Sequence, residues 1–219
     1  MKKALKLHLL IAFLVIVCIA KAQTYRLEVG YTNPDRHGAN ISSTYFNGIR
    51  LGGTAEFELK KNFSLLTGAL YNIVYSNKLQ TYPNSDSVVY KTFGHYLDIP
   101  LRVTYTLPVN KNLKFFGFAG PNLNIGLFQN QEIISTLSTS LNAINNIVPG
   151  KTDFYKSSIL NRLNLQVGIG GGVQWKNYQL KSGYDFGINN LNRTDTGGNQ
   201  FQKGWYVSFV YQFNKKEKK

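Results

Sequence analysis

Residues 163–175 include four glycines in five positions, the composition of loops that bind phosphate groups. A dinucleotide-binding loop reads G-x-G-x-x-G, follows a strand and begins a helix. With Gly168 and Gly170 in the first two places, Val173 occupies the third, and the Lys-Asn turn pair that follows Trp175 has no helical periodicity. The stretch therefore does not predict a phosphate-binding loop.

Two histidines are candidates for acid–base catalysis. His37 lies in the same segment as Asp35, Ser42 and Ser43, and His95 begins a later apolar segment. A histidine, an acid and a hydroxyl can form a hydrolytic triad, but only a defined geometry makes them one. We therefore predict that the protein is not an enzyme and keep a lipid-modifying enzyme as the alternative. Because His and Cys do not occur at metal-binding spacings, we also predict no metal and no cofactor.

A third group consists of charged residues that alternate with apolar ones. Alternation places them on one face of extended segments, and opposite charges enclosed in a narrow space are expected to pair. We predict an interior network of ion pairs, with a narrow gated channel as the alternative. The network comprises Arg26, Glu28, Arg50, Glu56, Glu58, Asp98, Arg102, Lys114, Arg162, Lys181 and Asp185.

The elements that carry these residues are predicted to be strands, because apolar and polar residues alternate with a period of two. In the glycine-rich stretch, Leu163, Leu165 and Val167 fall on one face, while Asn164 and Gln166 share the other with the glycines. Inward glycines would leave room for large neighbours in a narrow barrel. The eight predicted strands are 24–31, 45–59, 63–75, 95–107, 113–128, 163–175, 178–188 and 203–213.

The connections between these strands alternate strictly in length. The short ones are 60–62, 108–112 and 176–177, and the long ones are 32–44, 76–88, 129–158 and 189–202. In an up-and-down barrel this pattern gathers all short turns at one end, as in outer-membrane barrels with periplasmic turns and extracellular loops. We therefore predict an all-β fold, an eight-stranded antiparallel up-and-down transmembrane β-barrel.

Aromatic residues cluster at the strand ends on the apolar face. A soluble lipocalin-like barrel would instead face its apolar side inward and carry charges outside. Two aromatic girdles around an aliphatic belt match the two interfaces of a lipid bilayer. The periplasmic girdle is predicted from Tyr25, Phe57, Phe63, Tyr105, Phe115, Trp175, Tyr178, Tyr211 and Phe213, and the outer girdle from Tyr31, Tyr45, Tyr75, Phe128, Phe186 and Trp205.

The N-terminal segment has the features of a secretory signal peptide. A basic start precedes an apolar run, and Ala20 and Ala22 form a small-x-small cleavage site, so residues 1–22 are predicted to be removed. The run is short for a membrane anchor, and Val17 before Cys18 argues against a lipoprotein. Residues 23–214 are then the barrel and 215–219 a basic periplasmic tail. The full chain has a formal charge of +14. Because the protein is predicted to be exported and its sequence has no basic stripe, we predict no nucleic-acid partner.

Several segments resemble one family. HYLDIPLRVTY (95–105) resembles the tyrosine-leucine-acid-isoleucine-proline-leucine signature of the PorT-like outer-membrane β-barrel family. FFGFAGPNLNIGL (115–127) and LQVGIGGGVQW (165–175) resemble its next two strands, and WYVSFVYQF (205–213) is similar to the terminal signal read by barrel-assembly machinery. The resemblance covers essentially the whole mature chain. It implies a small outer-membrane barrel, and the family's namesake is associated with the type IX secretion apparatus.

The expected role follows from these features. We predict a structural or partner-binding protein of the outer membrane, with a component of a secretion or assembly complex as one form of this role. Its expected partners are outer-membrane lipid, the barrel-assembly machinery during insertion and an envelope protein. The long segment 129–158 mixes aliphatic and polar residues, so it either caps the barrel mouth or presents an apolar ridge to a partner.

Overall fold

The computed structural model describes residues 24–38, 41–194 and 198–214, which form ten strands of one antiparallel sheet. The predicted signal peptide and the predicted basic tail lie outside these residues. A short helix, α1, spans Thr139–Ile144, and a 3-10 turn spans Pro83–Ser85. The strands are β1 Thr24–Gly38, β2 Ile41–Tyr45, β3 Asn47–Lys60, β4 Phe63–Thr81, β5 Ser87–Pro108, β6 Leu113–Ser135, β7 Gly150–Asp153, β8 Leu163–Trp175, β9 Tyr178–Gly187 and β10 Gln200–Asn214.

Eight of the strands close into a ring. Their order is β1-β3-β4-β5-β6-β8-β9-β10, and β10 returns to pair with β1 from Thr24 opposite Asn214 to Gly38 opposite Gln200. The other two, β2 and β7, extend the sheet beside β1 and β6. The predicted eight-stranded antiparallel up-and-down barrel is thus confirmed. A closed ring leaves no strand edge unpaired.

The two ends of the ring differ. The turn end carries the short connections 61–62, 109–112 and 176–177, together with the first and last described residues. The loop end carries the long connections, but two of those predicted are largely strand: β1 continues to Gly38, and β4 and β5 pair as far as Thr81 opposite Ser87. The sequence loses its apolar alternation there, while backbone pairing continues.

Inward and outward faces follow the predicted alternation. On β8 the side chains of Asn164 and Gln166 are buried, whereas Leu163, Leu165 and Val167 are exposed. All fifteen predicted girdle aromatics lie on the outer face, and none is buried. Rings from neighbouring strands touch at both levels: Tyr31 lies 5.3 Å from Trp205, and Phe63 lies 4.8 Å from Tyr105, centroid to centroid.

We use the name "the lobe" for everything beyond the outer girdle at the loop end. It comprises the part of β1 after residue 31, β2 up to residue 44, the ends of β4, β5 and β6 beyond residues 76, 92 and 129, the part of β10 before residue 205, and residues 136–162 and 188–199 as far as they are described. No helix among the described residues is long and apolar enough to cross a membrane.

Candidate functional site

The middle of the barrel interior is organised around one carboxylate. Glu28 of β1 is 1% exposed, and the Nζ atom of Lys181 on β9 lies 2.5 Å from its Oε2. The Nε atom of Arg50 on β3 lies 3.3 Å from its Oε1. The Arg50 guanidinium also lies 4.0 Å from the centroid of the Tyr206 ring. Arg50 and Lys181 therefore both neutralise the Glu28 carboxylate, and these contacts link β1, β3 and β9.

Asp98, the acid of the YLDIPL segment, extends this network on β5. Its Oδ2 lies 3.8 Å from Nη2 of Arg50. Asn72 donates to the same oxygen over 2.8 Å, and Asn124 donates to Oδ1 over 2.7 Å. The aspartate thus joins β3, β4, β5 and β6, which gives the signature a structural role that its sequence alone does not show.

Two further ion pairs complete the network. Arg26 pairs with Glu56, which also accepts a hydrogen bond from the Ser64 hydroxyl. Arg102 pairs with Asp185 and donates to the Gly120 carbonyl. Each of the four buried carboxylates in the described residues therefore has a cationic partner, as enclosed charges require.

Three of the eleven predicted network residues lie elsewhere. Lys114 is half-buried, and Glu58 and Arg162 are exposed. Glu58 lies at the end of β3, beside a bulge where the ring meets solvent. Arg162 precedes β8 and lies at the mouth, where its guanidinium is 4.7 Å from the centroid of the Tyr155 ring. It donates to the carbonyls of Gly126 and Leu127 over 3.1 and 2.8 Å.

The glycine-rich face of β8 makes room for this network. A Cβ at Gly168 would collide with the Asp185 carboxylate and would lie 2.7 Å from both terminal nitrogens of Arg102. A Cβ at Gly170 would collide with the Phe118 ring and the Ser182 carbonyl. These glycines therefore admit a charged pair and an aromatic ring to the interior.

The filled interior leaves little free volume. Two cavities beside Arg50, of about 30 and 20 Å³, are each large enough for a water molecule or two. An eight-stranded barrel is only wide enough for its own side chains. In the described residues the interior is thus a plug of paired side chains.

The lobe has two apolar clusters of its own. The first closes the barrel mouth, where Tyr155 and Leu160 meet Phe46, Tyr96 and Leu191. Burial raises the pKa of Tyr155, which keeps its phenol protonated. Segment 154–160 therefore caps the mouth, the first of the two roles expected for the long loop.

The second cluster supports α1. Leu137 and Ile147 pack with Val88 against the paired ends of β4, β5 and β6. The side chains of Ile144 and Val148, in contrast, are 74% and 78% exposed, and Leu141 beside them is also exposed. We call Leu141, Ile144 and Val148 the apolar ridge. The long loop thus presents a ridge as well as a cap.

The two candidate histidines lie far apart on the outer face. Nδ1 of His37 lies 3.9 Å from Oδ1 of Asp35. Nδ1 of His95 lies 2.5 Å from the Tyr71 hydroxyl, among the rings of Phe93 and Phe128. No serine or threonine hydroxyl of the described residues hydrogen-bonds to either ring, and these residues contain no cluster of His, Cys, Asp and Glu suited to a metal.

Comparison with known proteins gives one family match. The family described as "Outer membrane protein beta-barrel domain" matches residues 23–193. No curated protein matches the sequence.

Solved structures with a similar course of the chain share little sequence. Neisserial surface protein A is 11% identical, with a TM-score of 0.46, over 86% of this chain and 97% of that one. The attachment invasion locus protein Ail of Yersinia pestis is 11% identical, with a TM-score of 0.39, over 88% and 99%. The outer membrane enzyme PagL is 12% identical, with a TM-score of 0.39, over 86% and 98%.

Proposed function

Because the chain belongs to the outer membrane protein β-barrel domain family, we propose that its barrel is a rigid support in the outer membrane and that its lobe binds a protein of the cell envelope. With the short turns on the periplasmic side, as is usual for such barrels, the lobe faces the cell exterior. The proposal includes no catalytic step and no open channel.

The apolar ridge is the observation that carries this proposal. Ile144 and Val148 are the most exposed large apolar side chains of the described residues, yet they stand on a packed base. Exposed apolar patches on an ordered support are typical of protein interfaces. Ser138 caps α1 by accepting from the backbone N–H of Leu141, which fixes the ridge before any partner arrives.

We also propose that the chain is a PorT-like member of its family. Support comes from the YLDIPL segment, because Asp98 holds four strands together at the centre of the barrel. The resemblance would make the partner a component of a secretion or assembly complex.

The test is capture of the partner from native outer membranes. The tagged full chain is cross-linked briefly, purified in mild detergent and analysed by mass spectrometry, beside an Ile144→Asp/Val148→Asp variant. The control is Leu79→Asp, which adds one negative charge, half the change of the double variant, at an exposed apolar site elsewhere on the lobe. We expect one envelope protein in fixed ratio with the wild type and the control, and at least a tenfold loss with the double variant.

Two results would contradict the proposal. If the chain is recovered alone, the subunit role fails, and the charged interior and the two histidines become the next candidates for function. If the double variant retains its partner fully, the ridge is not the contact. Recovery of a secretion component would support the PorT-like assignment, whereas an unrelated envelope protein would support the ridge only.

A further inference from the structure

Arg36 is a buried cation that the sequence alternation did not single out. It lies in the part of β1 that continues past the outer girdle, and its side chain, 7% exposed, points into the barrel mouth. Its Nη2 donates to Oε1 of Gln129 over 2.8 Å and approaches the Tyr96 hydroxyl at 3.4 Å. All of its hydrogen-bond partners are neutral.

The charge balance of the interior isolates this guanidinium. The described residues include five buried cations and four buried carboxylates, and all four carboxylates are held by Arg26, Arg50, Arg102 and Lys181. The neighbouring Asp35 lies on the other face of β1, within 3.9 Å of Lys203. Arg36 is therefore the buried cation with no carboxylate partner among the described residues, an arrangement that is costly unless an anion joins it.

Two buried donors beside it also lack acceptors. Nε of Arg36 and Nε2 of Gln129 form no hydrogen bond with the described residues, although Gln129 is fully buried. The Oε1 atom of the same glutamine accepts from both Arg36 and Tyr96, each over 2.8 Å, so its orientation is fixed with the amide nitrogen turned away from them. Because neither atom has accessible surface, a solute in the mouth can reach only the part of the Arg36 side chain that remains accessible.

Arg36 and Gln129 line one chamber, of about 390 Å³, between the mouth cap and the paired ends of β4, β5 and β6. Its other polar groups include the Lys78 ammonium, the side-chain amides of Gln80 and Gln131, and the hydroxyls of serine, threonine and tyrosine residues. The described lining contains no carboxylate. The Phe46 and Phe154 rings supply apolar wall. The volume is in the range of small-molecule sites.

We infer that this chamber binds a small solute that carries one oxyanion, a phosphate or a carboxylate, next to several hydroxyl groups. The oxyanion supplies the missing negative charge at the accessible part of the Arg36 side chain, with Lys78 as a second, more exposed cation. Charge-assisted hydrogen bonds of this kind are about twice as strong as neutral ones. The remaining amides and hydroxyls suit the hydroxyls of a sugar.

The test is isothermal titration calorimetry on the full chain folded in uncharged detergent micelles. The probes are glucose 6-phosphate, glucuronate, inorganic phosphate and glucose, each with wild type, Arg36→Gln and Lys78→Gln. Lys203→Gln is the matched control, because this lysine lies at the same level of the barrel on the opposite face of its sheet. Gel mobility before and after heating confirms a folded barrel for each variant.

We expect glucose 6-phosphate or glucuronate to bind the wild type and Lys203→Gln with the same affinity. The affinity should be at least tenfold lower for Arg36→Gln and several-fold lower for Lys78→Gln. Binding should weaken with added salt, and glucose should bind at least tenfold more weakly. The charged sugar that binds more tightly identifies the oxyanion as phosphate or carboxylate. Should none of the anions bind the wild type, or should Arg36→Gln and Lys78→Gln both bind them as the wild type does, the inference is wrong. If inorganic phosphate binds as tightly as glucose 6-phosphate, the proposed contacts to the sugar hydroxyls are ruled out.

Discussion

Ile169 on the barrel wall and Leu79 in the lobe expose the same fraction of their side chains, 61%, but they face different media. Ile169 lies between the girdle aromatics Trp175 and Phe186 of its hairpin, where lipid surrounds it. Leu79 lies four residues beyond the girdle residue Tyr75 on the same strand, where water surrounds it. Exposure alone therefore does not distinguish the two regions, and position along the barrel axis does.

The interior shows the same division. At the level of the wall, every buried carboxylate of the described residues has a cationic partner, and the space is nearly filled. At the level of the lobe, Arg36 faces an open chamber and has only neutral neighbours. The interior at the level of the wall is therefore closed by its own ion pairs, whereas at the level of the lobe Arg36 has no charged partner among the described residues.

The largest expected effect comes from breaking the network at its centre. Glu28→Gln keeps the shape of the side chain but leaves Arg50 and Lys181 without their shared charge, and breaking a buried pair costs about 3–5 kcal/mol. We expect this loss in the free energy of unfolding, measured by urea titration with tryptophan fluorescence in detergent. Glu58→Gln is the control, because Glu58 is exposed. Equal stability of the two variants would mean that the network does not hold the barrel closed.

A smaller effect should separate the wall from the lobe on the outer face. Ile169→Arg places a charge on the lipid-facing belt, which costs about 2–4 kcal/mol near the bilayer midplane. Leu79→Arg changes an equally exposed residue in water and should leave stability unchanged. The measurement is urea unfolding of both variants in lipid vesicles. A large loss with Leu79→Arg would place the outer membrane interface further up the lobe than its girdle aromatics indicate.

The smallest effect concerns space within the wall. At Gly170 a methyl group meets the backbone of Ser182 and Gly183, which cannot move without shifting β9, and overpacking of this kind costs about 1–3 kcal/mol. At Gly117, on the neighbouring strand, the nearest atom to a methyl group is 3.8 Å away. We therefore expect Gly170→Ala to lower the urea midpoint and Gly117→Ala to leave it unchanged. An unchanged midpoint for both would show that β9 yields easily.

The wall was predictable from sequence because lipid imposes a strict rule on it. The alternation of apolar and polar residues predicts the inner face of β8, the girdle positions and the charges near the axis, because each lipid-facing position must be apolar. Pairing between Arg102 and Asp185, 83 positions apart, followed only from the structure, because register around the ring fixes it.

The lobe was much less predictable. Its strands face water on the outside, so the alternation that marks the wall fades after Tyr31 and Tyr75. The sequence therefore predicts loops where the structure has strands. Arg36 was missed for that reason, although Thr32, Pro34 and Arg36 continue the inward positions of β1. Continuing the inward–outward alternation of β1 past its girdle residue Tyr31 identifies Arg36 as an inward position.

The seam between β1 and β10 has a consequence for how the molecule is made. Thr24 and Asn214 become neighbours only when the last strand has been synthesised and exported, so β1 keeps an open edge of 15 residues until then. Contacts so distant in sequence form slowly, and open strand edges aggregate. We therefore expect the time between export of the first and last strands to be the vulnerable stage of biogenesis, and the first strand's edge to be the place where an assembly factor must act.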